Sequence, residues 1–135
     1  MNRTERGTVT IRTDVDTLSF PWGNLNFLSE PSISGIKSMC CATVRIEPGQ
    51  GHGRHNHPGT DEFIYVIAGQ AEQVLDDQPS IRIGPGSCVI IPTDVFHSTM
   101  NVGASTLELM VVYSPCGPEN LLRSMEDCTV IPAGQ

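Results

Sequence analysis

The sequence predicts an all-β domain, a sandwich or barrel of short strands, with one short helix near its C-terminus. Thirteen glycines and ten prolines divide the chain into short apolar runs, a spacing that favours strands and turns over long helices. Several of these runs alternate apolar and polar residues, which is the period of a strand with one buried face. At 135 residues, with 39% hydrophobic and 17% charged residues, the chain has the size and composition of one globular domain.

The predicted strands follow one another at short, regular intervals, with turn signals between them. They are TVTIRT (8–13), WGNLNFL (22–28), CATVRIE (41–47), EFIYVIA (62–68), QAEQVL (70–75), SIRI (80–83), SCVIIP (87–92) and TLELMVVYS (106–114). The turn signals include Pro48-Gly49, Gly69, DDQP (76–79) and GPG (84–86). Strands of this number and spacing are typical of β-sandwiches and barrels.

The segment PENLLRSMED (118–127) is the one predicted helix. Pro118 and Glu119 suit its first turn. Its apolar residues would form a single stripe that covers one end or edge of the barrel. The residues of that stripe are Leu121, Leu122 and Met125.

Charge and composition exclude several classes of partner. The net charge is −7, and the eight basic residues are scattered singly, so no basic patch is available for nucleic acid or an anionic membrane. The sequence has no apolar signal core and no run near the roughly 18 apolar residues of a spanning helix. We therefore expect a cytoplasmic protein.

The cysteines are expected to be free thiols. Their number is odd, and they lack the paired spacing of a metal site. In a reducing cytoplasm they would stay reduced, and most of them are expected to be small buried residues. They are Cys40, Cys41, Cys88, Cys116 and Cys128.

Three of the four histidines lie together, and two of them belong to the stretch GRHNHPGTDE (53–62). His55 and His57 would project to one face of a strand. Glu62 begins the next strand, and His97 would have to reach the same cavity from a third. Histidines two apart are common as surface pairs, so this stretch alone leaves open a metal site, an acid–base cluster or a polar turn.

The wider spacing narrows this choice. The chain reads Gly49-x5-His55-x-His57-x4-Glu62-x6-Gly69 and then Gly86-x5-Pro92-x-Asp94-x2-His97-x3-Asn101. Both motifs strongly resemble those of the cupin superfamily in order and spacing. The one departure is Asp94, where the family pattern usually has glycine. Because aspartate tolerates left-handed turn conformations, we expect that turn to survive.

The resemblance extends over most of the chain. It implies a single-domain cupin jelly-roll β-barrel (double-stranded β-helix). An N-terminal extension with edge strands would occupy residues 1–30, the barrel 31–116, and a tail with the short helix 117–135. The resemblance also implies one divalent transition metal per chain, which could be Fe, Mn, Ni, Zn, Co or Cu. The ligands carried over by position are His55, His57, Glu62 and His97.

The function implied is that of a metal-dependent enzyme acting on a small oxygenated organic substrate, with a dioxygenase-type oxidoreductase as the first hypothesis. The alternatives are an isomerase, lyase or decarboxylase acting on a sugar or keto acid, and a non-catalytic module that binds a small ligand.

The other polar residues near the motif have weaker assignments. His52 is a candidate acid or base at the barrel mouth, but a surface loop is the favoured position. Asp61 is expected to point away from the site, and Asn101 to fix a turn through its side chain. Phe63 and Tyr65 point away from Glu62 and could form a subunit contact, which with the family resemblance favours a homodimer.

Overall fold

A computed structural model describes residues 1–134 and confirms the all-β prediction. Its strands are β1 (Asn2–Thr4), β2 (Gly7–Val9), β3 (Thr17–Phe20), β4 (Gly23–Ser29), β5 (Cys40–Ile46), β6 (Gly51–His55), β7 (Asp61–Ala68), β8 (Ala71–Leu75), β9 (Ile81–Ile83), β10 (Cys88–Ile91), β11 (His97–Asn101), β12 (Leu107–Ser114) and β13 (Thr129–Ile131). Its α-helices are α1 (Pro31–Ser34) and α2 (Pro118–Ser124).

Two antiparallel sheets form the jelly-roll barrel. The larger sheet has seven strands in the order β10-β7-β12-β5-β4-β3-β13, and the smaller has four in the order β6-β11-β8-β9. Strands β1 and β2 pair only with each other. The paired strands of the barrel are often far apart in sequence, so the two histidine-bearing segments come together through β6 and β11.

The core lies between the inner faces of the sheets and follows the predicted alternation. On β7, Ile64 and Val66 are buried on the same face as Glu62. On β12, alternate residues from Leu107 to Tyr113 are buried. Burying each such aliphatic side chain contributes about 1.5–3 kcal/mol, which allows the same two strands to carry polar site residues.

Turn residues adopt the conformations that the motifs predicted. Asp94 has φ of 69°, so aspartate does occupy the left-handed turn position. Gly69 has φ of +97°, and a Cβ there would come within 2.9 Å of the Leu107 backbone. The buried Asn101 amide donates hydrogen bonds to the carbonyls of Ile46 and Ser105 at 2.8 and 2.9 Å and accepts one from Gly103 N–H at 2.9 Å. Its predicted role in fixing a turn is confirmed.

The N-terminal strand prediction (8–13) is wrong over its second half. Strand β2 ends at Val9, and a short 3-10 helix occupies Arg12–Asp14. The Asp14 carboxylate accepts a hydrogen bond from Ile11 N–H at 3.0 Å, and Ile11 is 62% exposed. With no sheet to cover these side chains, local capping outweighs strand pairing.

The predicted helical stripe is also wrong. Leu121 and Met125 are exposed, and only Leu122 of the three is buried. The buried side of α2 is formed by Pro118, Glu119 and Leu122. The helix ends at Ser124, so Met125 is extended and no longer continues the helical face.

Five strands lie outside the predicted segments (β1, β3, β6, β11 and β13), and two of these, β3 and β13, belong to the large sheet. Strand β3 pairs with β4, and β13 adds to the outer edge of β3. The sheet therefore contains strands from both ends of the described chain.

Among the described residues, no helix is both long and apolar enough to cross a membrane.

Candidate metal centre

The fold brings together the four side chains that the motifs singled out. His55 ends β6, His57 follows two residues later, Glu62 lies on β7 and His97 begins β11. In the small sheet, His97 is directly opposite His55. One ligand atom from each of the four side chains lies within 4.8 Å of the others.

The carboxylate of Glu62 lies at the middle of this group. Its Oε1 is 3.0 Å from His57 Nε2 and 3.1 Å from His97 Nε2. These three side chains are nearly inaccessible to solvent, whereas His55 is half-buried on the side of the cavity mouth. The group therefore has a dry interior and one more open side.

Backbone carbonyls fix the orientation of two imidazoles. Nδ1 of His97 lies 2.9 Å from Val95 O, and Nδ1 of His55 lies 2.6 Å from Gly53 O. When these nitrogens donate to the carbonyls, each Nε2 is left with a free lone pair. This is the arrangement that metal-binding histidines usually adopt.

The converging atoms lack a suitable donor. Within the described part of the chain, His57 Nε2, His97 Nε2 and Glu62 Oε1 make no hydrogen bond of acceptable geometry. Buried acceptors that face one another at about 3 Å are costly unless a cation or a proton lies between them. Imidazole nitrogen and carboxylate oxygen also suit a divalent transition metal. The donor set therefore fits a metal ion.

The protonation states agree with that fit. Burial opposes ionisation of Glu62, but its contacts with His57 and His97 outweigh burial and lower its pKa to about 2. Burial, and after it the neighbouring His52, lowers the pKa of His55 to about 3. Burial also acts against protonation of His97, but the Glu62 carboxylate raises the pKa of that imidazole overall. Near neutral pH, Glu62 is ionised and His55 is neutral, as metal ligands must be.

His52 lies at the cavity and not on a surface loop, so that part of the prediction is wrong. It is stacked between Trp22 and His55, with ring centroids 4.5 and 3.7 Å away. The cause is a β-bulge. His52 and His55, three positions apart on β6, pair with Thr99 and His97, which are only two positions apart on β11. The extra residue turns both histidines toward the interior. Burial, and next the nearby His57, lowers the pKa of His52 to about 4.

The cavity around these groups is largely apolar and small, with a volume of about 30 Å³. Its polar members beyond the candidate ligands His55, Glu62 and His97 are His52, Thr99 and Tyr113, and Trp22 also lines it. The Tyr113 ring meets His57 edge-on at 5.1 Å. The remaining lining residues are Leu25, Val44, Ile46, Ile64, Leu109, Val111 and Leu122.

Sequence reasoning missed Trp22, Thr99 and Tyr113 as site residues. Strand parity placed Tyr113 on the inner face, but parity cannot say which inner residues line a cavity. Asp61 behaves as predicted: it is exposed, and its Oδ1 accepts a hydrogen bond from Thr93 N–H at 2.8 Å.

Comparisons with known proteins agree on the fold. The Cupin domain family profile matches residues 42–113. Protein SchB of Streptomyces halstedii is 35% identical over 97 residues, which are 71% of this chain and 69% of SchB. The polyketide synthase CurC of Streptomyces cyaneus is 32% identical over 98 residues, 72% of this chain and 62% of CurC. Dimethylsulfoniopropionate lyase DddQ of Ruegeria pomeroyi is 32% identical over 62 residues, 46% of this chain and 30% of DddQ.

Solved structures show the same architecture. KdgF from Halomonas sp. superposes with a TM-score of 0.72 at 18% identity, covering 84% of this chain and 99% of KdgF. A Thermotoga maritima protein described as a predicted oxalate decarboxylase superposes with a TM-score of 0.71 at 19% identity, covering 81% of this chain and all of that protein.

Proposed function

This chain belongs to the cupin family, and we propose that it is a metal-dependent enzyme acting on a small oxygenated organic molecule. The proposed ligands of its single divalent transition metal are His55, His57, Glu62 and His97. The observation that carries this proposal is the convergence of buried acceptor atoms with no donor of their own among the described residues. When bound, such an ion supplies Lewis acidity and open coordination positions.

The lining of the cavity indicates the class of substrate. Apart from the proposed ligands, it is mostly aliphatic, and among the described residues that line it there is no lysine, no arginine and no second carboxylate. An anionic substrate would therefore find no side-chain cation of the protein there. We infer a compact, mainly apolar molecule whose few oxygen atoms are directed at the four-residue group.

The residues of the mouth would position that molecule. The stacked rings of Trp22, His52 and His55 form one wall of the entrance, and a planar substrate can extend this stack. Behind them, the aliphatic side chains exclude water from the interior and strengthen the electrostatic effect of the ionised Glu62.

We propose a dioxygenase-type reaction, because oxygen chemistry needs the fewest acid–base groups from the protein. Among the described residues that line the cavity, His52 is the one imidazole beyond the proposed ligands, and burial lowers its pKa to about 4. A lyase or decarboxylase reaction is the second candidate, and the similarity to the lyase DddQ favours it. In that reaction His52, neutral at pH 7, would act as the base.

The test is turnover by metal-loaded protein on a panel of diols, diketones and hydroxy acids, with oxygen uptake and product formation measured together. The dioxygenase proposal predicts oxygen uptake matched to product, abolished by Glu62→Gln. Product without oxygen uptake would support the lyase candidate. Binding without turnover across the panel would contradict both and favour a binding module.

The matched control is Asp61→Asn. Asp61 adjoins Glu62 but is exposed and bonded to the Thr93 backbone. Its substitution removes the same kind of charge one residue away and should leave turnover unchanged. Equal losses in Asp61→Asn and Glu62→Gln would mean that general electrostatics or folding, and not the candidate centre, explains the effect.

We also propose that the chain forms a homodimer through the outer face of β10, β7 and β12. Tyr65, Ile67 and Ile90 are 40–59% exposed on this face. The strand register places them beside the half-buried Phe63, Met110 and Val112. A continuous apolar face on the edge of a sheet suits self-association.

A further inference from the structure

A second group of potential metal ligands lies near Tyr113, outside the candidate centre. It consists of Cys40, Cys116 and Glu119, and one ligand atom from each lies within 4.8 Å of the others. Cys40 begins β5 opposite Tyr113 of β12, Cys116 follows β12, and Glu119 is in the first turn of α2. Residues 76 positions apart in the sequence are therefore brought together where the C-terminal segment meets the barrel.

The surroundings hold this group in place. Cys116 N–H donates to Lys37 O at 3.1 Å. Its thiol lies 3.6 Å from Ile36 O. The Glu119 carboxylate accepts a hydrogen bond from Gly117 N–H, with Oε2 at 3.1 Å. Cys40 and Glu119 are 0% and 1% exposed, and Cys116 is half-buried.

The buried Glu119 carboxylate is the main reason to consider a cation at this group. Glu119 forms no ion pair within the described part of the chain. Arg123, on the same helix as Glu119, is engaged by Glu30 through hydrogen bonds of 2.7 and 2.5 Å. A buried carboxylate is costly unless a cation or several donors compensate it, and metal coordination is one of the usual solutions.

We propose that Cys40, Cys116 and Glu119 form a second metal site, which binds Zn²⁺. Zinc accepts thiolate and carboxylate ligands together, at about 2.3 Å and 2.0–2.2 Å, and these lengths fit donors within 4.8 Å of one another. Binding would release the two thiol protons and leave two thiolates and one carboxylate around the ion. The ion would connect α2 to β5 and β12.

Zinc binding would have to displace the protons of both thiols. Burial, and after it the charge of Glu119, raises the pKa of Cys40 and of Cys116. Both are therefore protonated when no cation is bound, and a coordinated zinc ion would reverse this.

The test uses Cd²⁺ as a probe with fully reduced protein, because thiolate coordination of cadmium gives an ultraviolet charge-transfer band that histidine and carboxylate do not. We expect the band to saturate at about one equivalent in His97→Ala, which lacks a ligand of the candidate centre, and to reach the same final height in the wild type. It should be lost in Cys116→Ser. In Glu119→Gln, the affinity should fall by at least about tenfold, a loss that even residues behind metal ligands can cause.

Cys88→Ser and Cys128→Ser are the matched controls, because each removes one thiol outside the group. The proposal is overturned if the reduced wild type shows no band, if Cys116→Ser keeps it, or if the controls lose it equally. Should Cys116→Ser fail to fold, X-ray absorption of zinc-loaded His97→Ala decides the matter. Sulfur neighbours at about 2.3 Å support the site, and a shell of nitrogen and oxygen alone overturns it.

Discussion

Replacing His52 by glutamine should make the stability of the metal-free protein less sensitive to acid. His52 has a pKa of about 4 in the folded protein and an ordinary value of 6.5, because it is buried beside His55 and His57. The unfolded chain therefore binds more protons below pH 6.5. Stability contributed by the neutral imidazole is complete above that pH and is lost as pH falls from 6.5 toward 4.

The expected size follows from these two values. Between pH 7 and pH 5, protonation of His52 in the unfolded chain alone lowers the free energy of unfolding by about 2 kcal/mol, at 1.36 kcal/mol per pKa unit. Removing His52 also removes a cause of the low pKa of His55, which changes stability in the same direction. The wild type should thus lose about 2 kcal/mol more than His52→Gln over this interval.

Urea unfolding of both proteins at the two pH values, with a chelator present, measures this difference. Arg54→Gln is the control, because Arg54 is an exposed neighbour of His52 on the same strand and this substitution removes no imidazole. It should follow the wild type. Equal losses in the wild type and His52→Gln would refute the burial of His52 between Trp22 and His55.

Three further predictions concern the fold and its assembly. Asn101→Ala should lower the free energy of urea unfolding by about 2–4 kcal/mol, because three backbone groups lose their partner; a loss below 1 kcal/mol would contradict the turn-fixing role. Asp94→Val should lower the free energy of unfolding by about 1–2 kcal/mol, because Asp94 has φ of 69°. Asp94→Gly should change that free energy little. Equal effects of the two substitutions would contradict backbone strain as the cause. Light scattering should find a dimer that Ile90→Asp converts to a monomer and Ile81→Asp, at a similarly exposed position of the other sheet, does not; a wild-type monomer would rule out the proposed interface.

Much of the barrel could be predicted because alternation is visible wherever one face of a strand is buried. Strand β12 shows this well, since every second residue from Leu107 to Tyr113 is inside. The strands β3 and β13 were missed because each is only three or four residues long. Their pairing joins strands near the two ends of the chain. The alternation of apolar and polar residues within a short segment contains no information on such a contact.

The candidate ligands could be found because the spacing of the two motifs is linked to the register in which their strands pair. His55 and His97 lie 42 positions apart, yet they are opposite each other in the small sheet. The position of His52 could not be found in this way. It depends on a bulge that breaks the two-residue period, and the bulge is a property of the pairing between β6 and β11.

The same limit applies to the cysteines. The sequence spacing of Cys40 and Cys116 argued against a metal site, whereas the fold places both beside Glu119.

Cytoplasmic location and the division at residues 30 and 116 stay predictions. The helical stripe failed for a related reason: periodicity identified α2 but could not identify which side faces the barrel.

The most direct test of the candidate centre is the metal content of protein purified without chelator. Cys116→Ser is the reference, so that any ion at the second site is excluded, and it is compared with the double variant Cys116→Ser, His97→Ala after both are shown to be folded. We predict about one transition-metal ion per chain in the reference and almost none in the double variant. Equal metal content in the two proteins would contradict the assignment of His55, His57, Glu62 and His97 as one metal site.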